Sequence, residues 1–258
     1  MTQPFHFGSA TRPVFGIRHD AAPARDAVLA CAPLLQEALR SHRALWALGE
    51  ALAAQGVSTL RFDWYGSGDS GGAGGDMAFE GMLDDLGAAI AQCPMRPRLL
   101  ALRSASLPVL AHAVASTRPV RVVLWDPLLS GGEVVAGWRR QHEQQLHEVG
   151  RYHGAAPPAG EDELLGFEVA PALLQALASL ELEDARLPPG STLVLATWQA
   201  SPALERFAVR QQEAGVVVDW LRLDPEEQPR WEDPHVFEHQ VFPRRGVARL
   251  AQHVADVG

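Results

Sequence analysis

A chain of 258 residues with 47% apolar residues has material for one large α/β domain, and its net charge of −9 argues against broad nucleic-acid binding. All 22 basic residues are arginine, which excludes a lysine Schiff base and a Walker-type phosphate lysine. No run approaches the ~18 apolar residues of a membrane span, Met1 to Phe15 lacks a signal-peptide core, and the two cysteines, Cys31 and Cys93, have no zinc spacing. The expectation is a soluble, cytoplasmic protein with reduced thiols, no cofactor and no metal.

Phe5 to Phe7 and Val14 to His19 read as an antiparallel hairpin around a turn-rich segment. Ala27 to Ala32 is a compact apolar run suited to a buried strand. Ser41 is the predicted N-cap of a helix running to Gln55, with Gly56 as its stop. Ser58 to Phe62 is the next strand. Phe79 to Gln92 is helical in pattern, Leu99 to Leu102 is a strand, Leu107 to Ser116 a helix and Val120 to Trp125 a strong strand.

The rhythm breaks between residues 131 and 185. Helices are predicted at Glu133–Arg151 and Ala170–Leu180, with a Gly/Pro/acid-rich loop at Gly154–Asp162 and no evident strand. This length reads as a cap inserted over the strand ends. The alternation resumes with strand 192–197, helix 202–214, strand 216–223 and a final helix near 239–257. The predicted architecture is a single α/β domain, with a mostly parallel central sheet flanked by helices and a small helical cap.

The loop after the fourth strand attracts three motif readings. Gly66-Ser67-Gly68-Asp69-Ser70-Gly71 fits the dinucleotide pattern, and Gly68-Asp69-Ser70-Gly71-Gly72 fits both a nucleophile elbow and an active-site serine motif of all-β proteases. The alternating helices and strands exclude the protease. The dinucleotide and elbow readings each need a helix directly after the loop, and Gly72-Ala73-Gly74-Gly75 follows instead.

Arg61-Phe62-Asp63-Trp64-Tyr65-Gly66-Ser67-Gly68-Asp69-Ser70 resembles an R-x-D-x-x-G-x-G-x-S run of α/β-hydrolases in the serine-aminopeptidase-like branch. The chain resembles a bacterial group labelled exosortase-system-associated hydrolases. Gln36-Glu37, Arg40 to Leu45, and Leu124-Trp125-Asp126-Pro127 resemble further blocks of that group. The resemblance covers residues 1 to about 130 and implies the α/β-hydrolase fold. It also implies that the glycine loop is a structural turn, with the nucleophile elbow after the next strand.

An elbow needs small residues two before and two after its tip. In Leu99 to Leu107, a tip at Arg103 places Ala101 and Ala105 there, whereas a tip at Ser104 or Ser106 brings in Leu102 or Pro108. Sterics therefore put an arginine, which cannot attack an acyl carbon, where the resemblance implies a nucleophile. The resembling sequences carry a similar Gly-Leu-Arg-Leu-Gly block. Other parts of the implied machinery are also missing. The oxyanion segment, Ala32-Pro33-Leu34-Leu35-Gln36, has no glycine, and neither Trp198 to Ser201 nor Asp224 to Gln228 supplies the acid and histidine at their implied places.

Two classes of function stand open. One is a hydrolase-like pseudoenzyme that binds a small acyl or anionic ligand through Arg103, Leu35 and Gln36, or that serves a partner hydrolase or a second copy of itself. The alternative is a serine hydrolase of esters, thioesters or amides using Ser104 or Ser106, with Asp126 and with His235 or His239, in the order Ser…Asp…His. For Arg103, two roles remain. At a helix N-terminus it favours an anion; paired with Asp63 or Asp126, it plugs the site. Trp138, Arg139, Arg140, His142, His147 and Tyr152 give the cap a mixed aromatic and basic character, suited to covering a ligand or to a solvated helix face.

Overall fold

The computed structural model describes residues 2–148, 162–231, 233 and 241–256. Its centre is an eight-stranded sheet. In chain order the strands are β1 (Thr2–Ser9), β2 (Arg12–His19), β3 (Asp26–Cys31), β4 (Val57–Phe62), β5 (Arg98–Leu102) and β6 (Arg121–Trp125). A two-residue hairpin follows, β7 (Glu163–Leu164) and β8 (Phe167–Glu168), and then β9 (Thr192–Thr197) and β10 (Val217–Arg222) complete the sheet. The order is β1-β2-β4-β3-β5-β6-β9-β10. The β1–β2 and β2–β4 pairs are antiparallel and all other pairs of this sheet are parallel.

The central strands read as continuous apolar runs because helices cover both faces. Helices α1 (Gln36–Ala53) and α7 (Arg244–Asp256) pack on one face, where Leu45, Leu48, Leu52 and Leu250 meet Val28, Leu100 and Val123. Helices α2 (Phe79–Ala91), α3 (Ser106–Val114) and α6 (Pro202–Glu213) cover the other, with Met82, Leu86, Leu110 and Phe207 against Leu29, Leu99 and Leu193. Burying each such side chain stabilises the fold by roughly 1.5–3 kcal/mol.

The amino ends of the strands are closed by charge. Asp26 accepts a bidentate pair from Arg121, at 2.9 and 3.0 Å, and a bond from Arg98 Nε at 2.9 Å. The carboxyl ends are left to the loops. The chain crosses from β3 to β4 on one side and returns to β5 on the other, so a crevice opens between the loops after β3 and β5, where open α/β sheets place their sites.

Two expectations are corrected. Helix α1 begins at Gln36, not at Ser41, which lies in its first turns and bonds back to Ala38 O. No side chain caps this start; tertiary bonds from Arg103 to Glu37 and from Arg40 to Trp231 O hold the first turns instead. The second correction is the β7–β8 hairpin, in a stretch with no strand signal. It turns through Leu165 and Gly166, both at positive φ (58° and 81°), and is pinned by Leu165 N–H donating to His142 Nδ1 at 2.9 Å. Helices α4 (Gly131–Glu148) and α5 (Pro171–Ala178) flank it and pack on each other. The predicted loop at 154–161 and Tyr152 lie outside the described residues. Among the described residues, no helix is long and apolar enough to cross a membrane, and no group of three or more His, Cys, Asp or Glu is placed to hold a metal ion. Cys31 and Cys93 are free thiols.

Candidate functional site

Three non-glycine residues with positive φ stand after three neighbouring strands: Leu35 (54°) after β3, Arg103 (49°) after β5 and Asp126 (50°) after β6. Such conformations cost about 1–3 kcal/mol each and persist only where packing over-determines them. Arg103 is the tip of an abrupt strand-to-helix turn, followed by a single 3₁₀ turn and then α3. Ala101 and Ala105, two residues either side, are fully buried, as the sterics of that turn require. The backbone has the form of an elbow, and its apex carries a guanidinium.

Among the described residues, two carboxylates hold that guanidinium. Arg103 Nε donates to Glu37 Oε1 at 2.9 Å and Nη1 to Asp126 Oδ2 at 2.8 Å. Asp63 is not its partner: its Oδ2 accepts from Asp69 N–H at 3.0 Å, inside the glycine loop. Asp126 is thus an arginine partner at the elbow, whereas Glu37 was singled out in the sequence only as part of a resemblance. A glutamate six residues beyond a strand end, in the first turn of the helix that follows, is the available signal.

Neither candidate serine is open. Both Ser104 and Ser106 are 0% exposed. Ser104 Oγ donates to Glu37 Oε2 at 2.9 Å and accepts from Leu34 N–H at 3.0 Å. Ser106 Oγ accepts from Leu128 N–H at 3.0 Å and donates to Leu128 O at 2.6 Å. One serine ties the loop after β3 to the elbow; the other ties the loop after β6 to it. His235 and His239 lie outside the described residues. After β9, Ser201 caps α6 through Leu204 N–H, and after β10 Asp224 caps a short turn through Glu226 N–H.

The three ligand-binding candidates do not converge. Arg103 borders a cavity of about 1200 Å³ beneath α4. Leu35 borders a separate cavity of about 640 Å³ beside the glycine loop. Gln36 borders neither, and bonds Leu165 O at 2.9 Å and Arg40 Nη2 at 2.8 Å. The cavity at Arg103 is acid-rich. Glu37, Asp126, Glu133, Glu181, Glu183 and Asp233 line it against the guanidiniums of Arg103 and Arg140. Trp138 and His142 of α4 are buried, so the aromatic part of that helix is core and not a solvated face.

The glycine loop is a structural turn. Ser70 Oγ donates to Asp63 O at 2.6 Å and accepts from Phe15 N–H at 2.8 Å, stitching the loop to β2. Gly68, at φ 55°, leaves room for the Asp63 carboxylate, whose Oδ2 a Cβ would approach to 2.2 Å.

No family model matches the chain, and no curated protein matches it. Solved structures do. Est1E from Butyrivibrio proteoclasticus, in its complex with ferulic acid, superposes with a TM-score of 0.64 at 14% identity, over 97% of this chain and 99% of that one. A hydrolase from Agrobacterium vitis S4 matches with a TM-score of 0.53 at 17% identity, over 99% and 98%. Mouse alpha/beta hydrolase domain-containing protein 10 gives 0.53 at 12%, over 99% and 98%. The chain has the α/β-hydrolase fold. At identities this low, the likeness extends to architecture alone.

Proposed function

We propose that this protein is a non-hydrolytic member of the α/β-hydrolase fold that binds a ligand, with residues 131–185 as a cap over the strand ends. One observation carries the reading: the elbow apex is an arginine whose charge is met by Glu37 and Asp126. Guanidinium is protonated at any working pH and offers no lone pair to an acyl carbon. The neighbouring hydroxyls are buried and already bonded to Glu37 and Leu128, so neither faces a substrate.

The same geometry argues against an anion at Arg103. Glu37 and Asp126 already neutralise Arg103, and Glu183 and Asp233 pair with Arg206, Arg210 and Arg230, which favours a neutral polar ligand over an anion. The serine-hydrolase alternative requires Ser104 or Ser106 to leave its buried bonds.

A fluorophosphonate probe, run together with p-nitrophenyl acetate and butyrate turnover, tests the reading. The expected result is no labelling, and turnover no faster than with Ser104→Ala or Ser106→Ala protein. Labelling at any serine, or ester cleavage lost in either variant, overturns it.

A further inference from the structure

The second cavity holds a guanidinium with no ion-pair partner within bonding distance among the described residues. Arg61, on β4, lines the cavity beside the glycine loop and is 7% exposed. Its Nε donates to His19 Nε2 at 3.1 Å, and its guanidinium lies 5.1 Å from the Trp46 ring centroid. Its terminal nitrogens have no hydrogen-bond partner among the described residues, and Nη2 is fully buried. Arg98, the other buried arginine among them, is ion-paired to Asp26 at 2.9 Å. A buried cation without a partner is costly, and such a group usually has a ligand or serves a site.

The surroundings say what kind of ligand. Phe15, Leu34, Phe62, Trp64, Met77 and Phe167 form apolar walls, and about 640 Å³ suits a small organic molecule. The acidic groups at the cavity are Asp63, Asp69 and Glu168. Asp69 and Glu168 are exposed, so water screens them. Burial raises the Asp63 carboxyl, against the Asp69 N–H bond and the Arg61 charge, and its Oδ2 is taken up by the glycine loop and makes no hydrogen bond to Arg61. His42, also exposed, is held below its ordinary value by burial and then by the nearby Arg61 charge. The one negative group hydrogen-bonded towards Arg61 is indirect: Glu50 bonds His19 Nδ1 at 2.6 Å, and His19 bonds Arg61.

We infer that this cavity is a binding site for a monocarboxylate with an apolar body, such as a medium-chain fatty acid, whose carboxylate pairs with the free end of the Arg61 guanidinium. The Arg103 cavity and the elbow take no part, so the inference stands whether or not the elbow is inactive.

Isothermal titration calorimetry with decanoate, decanol and decylamine tests it. Decanoate is expected to bind the wild-type protein about ten-fold or more tighter than decanol, since a charge-assisted bond separates them. Arg61→Met should reduce decanoate binding to the level of decanol, with thermal melting reporting that the variant folds. Ala38→Trp, which fills the cavity without touching its charges, should abolish binding of both. If Arg61→Met does not fold, the acid–alcohol comparison and Ala38→Trp decide. Equal binding of acid and alcohol, preference for the amine, absence of decanoate binding, or binding that survives Ala38→Trp each overturns the proposal. Serine labelling has no bearing on these readouts, so failure here is distinct from failure of the non-hydrolytic reading.

Discussion

Arg103 Nε and Glu37 Oε1 lie 2.9 Å apart, joining the turn after β5 to the first turn of α1. The other oxygen of Glu37 accepts from Ser104 Oγ, so one carboxylate holds both the elbow apex and the residue behind it. The pair holds two loops together at the carboxyl ends of β3 and β5. Glu37→Ala should therefore cost stability, about 2–3 kcal/mol, because Arg103 Nε and Ser104 Oγ both lose their acceptor. Ser106→Ala should cost about 1–3 kcal/mol by leaving Leu128 N–H unsatisfied. Urea unfolding measures both. A neutral result for Glu37→Ala would mean the pair is not structural.

Two glycines should respond oppositely to alanine. Gly68→Ala puts a Cβ at 2.2 Å from Asp63 Oδ2, at a backbone φ of 55°, and should destabilise the glycine loop. Gly87→Ala lies on the exposed side of α2 with nothing within 4 Å, and should stabilise by about 0.5–1 kcal/mol through helix propensity. Paired thermal melts separate the two, and equal shifts would contradict the assignment of strain to the loop.

Acidification should weaken the fold through His19. Burial, opposed by the Glu50 bond and aided by the Arg61 charge, holds this imidazole below its ordinary value of 6.5. Protonation would also set a Nε2–H against Arg61 Nε–H. The unfolded chain therefore takes up the proton first, and the stability that His19 contributes is full above about 6.5 and is lost as pH falls below it. Melting at about pH 5.5 should lie below melting at about pH 7.5, and His19→Gln should flatten the difference. An unchanged difference in that variant would assign the pH dependence elsewhere.

Local pattern carried the architecture. Alternating apolar runs and amphipathic helices place β3 to β6 within a residue or so of where they stand, because propensity and burial act over neighbouring positions. Ala101 and Ala105 mark Arg103 as the elbow apex for the same reason: the steric demand spans two residues each way. The start of α1 escaped this reading, since its first turn is held by contacts with the elbow and not by a cap.

Pairing across the sheet was beyond the sequence. Of the two carboxylates proposed for Arg103, Asp126 meets it and Asp63 does not, because a glycine loop folds Asp63 back onto Asp69. Glu37, 66 positions before Arg103, comes to it only because β3 and β5 are adjacent strands. Arg61 likewise reads in sequence as part of a family block. Only the packing of β4 against α1 takes it out of water, leaves its terminal nitrogens without a hydrogen bond among the described residues, and places it on an apolar cavity. The sequence by itself determined which residues build the elbow and that no nucleophile stands at its tip. The tertiary structure decided which charges cancel and which remain, because electrostatic partnership depends on distance in space and on exclusion of water, and neither is local along the chain.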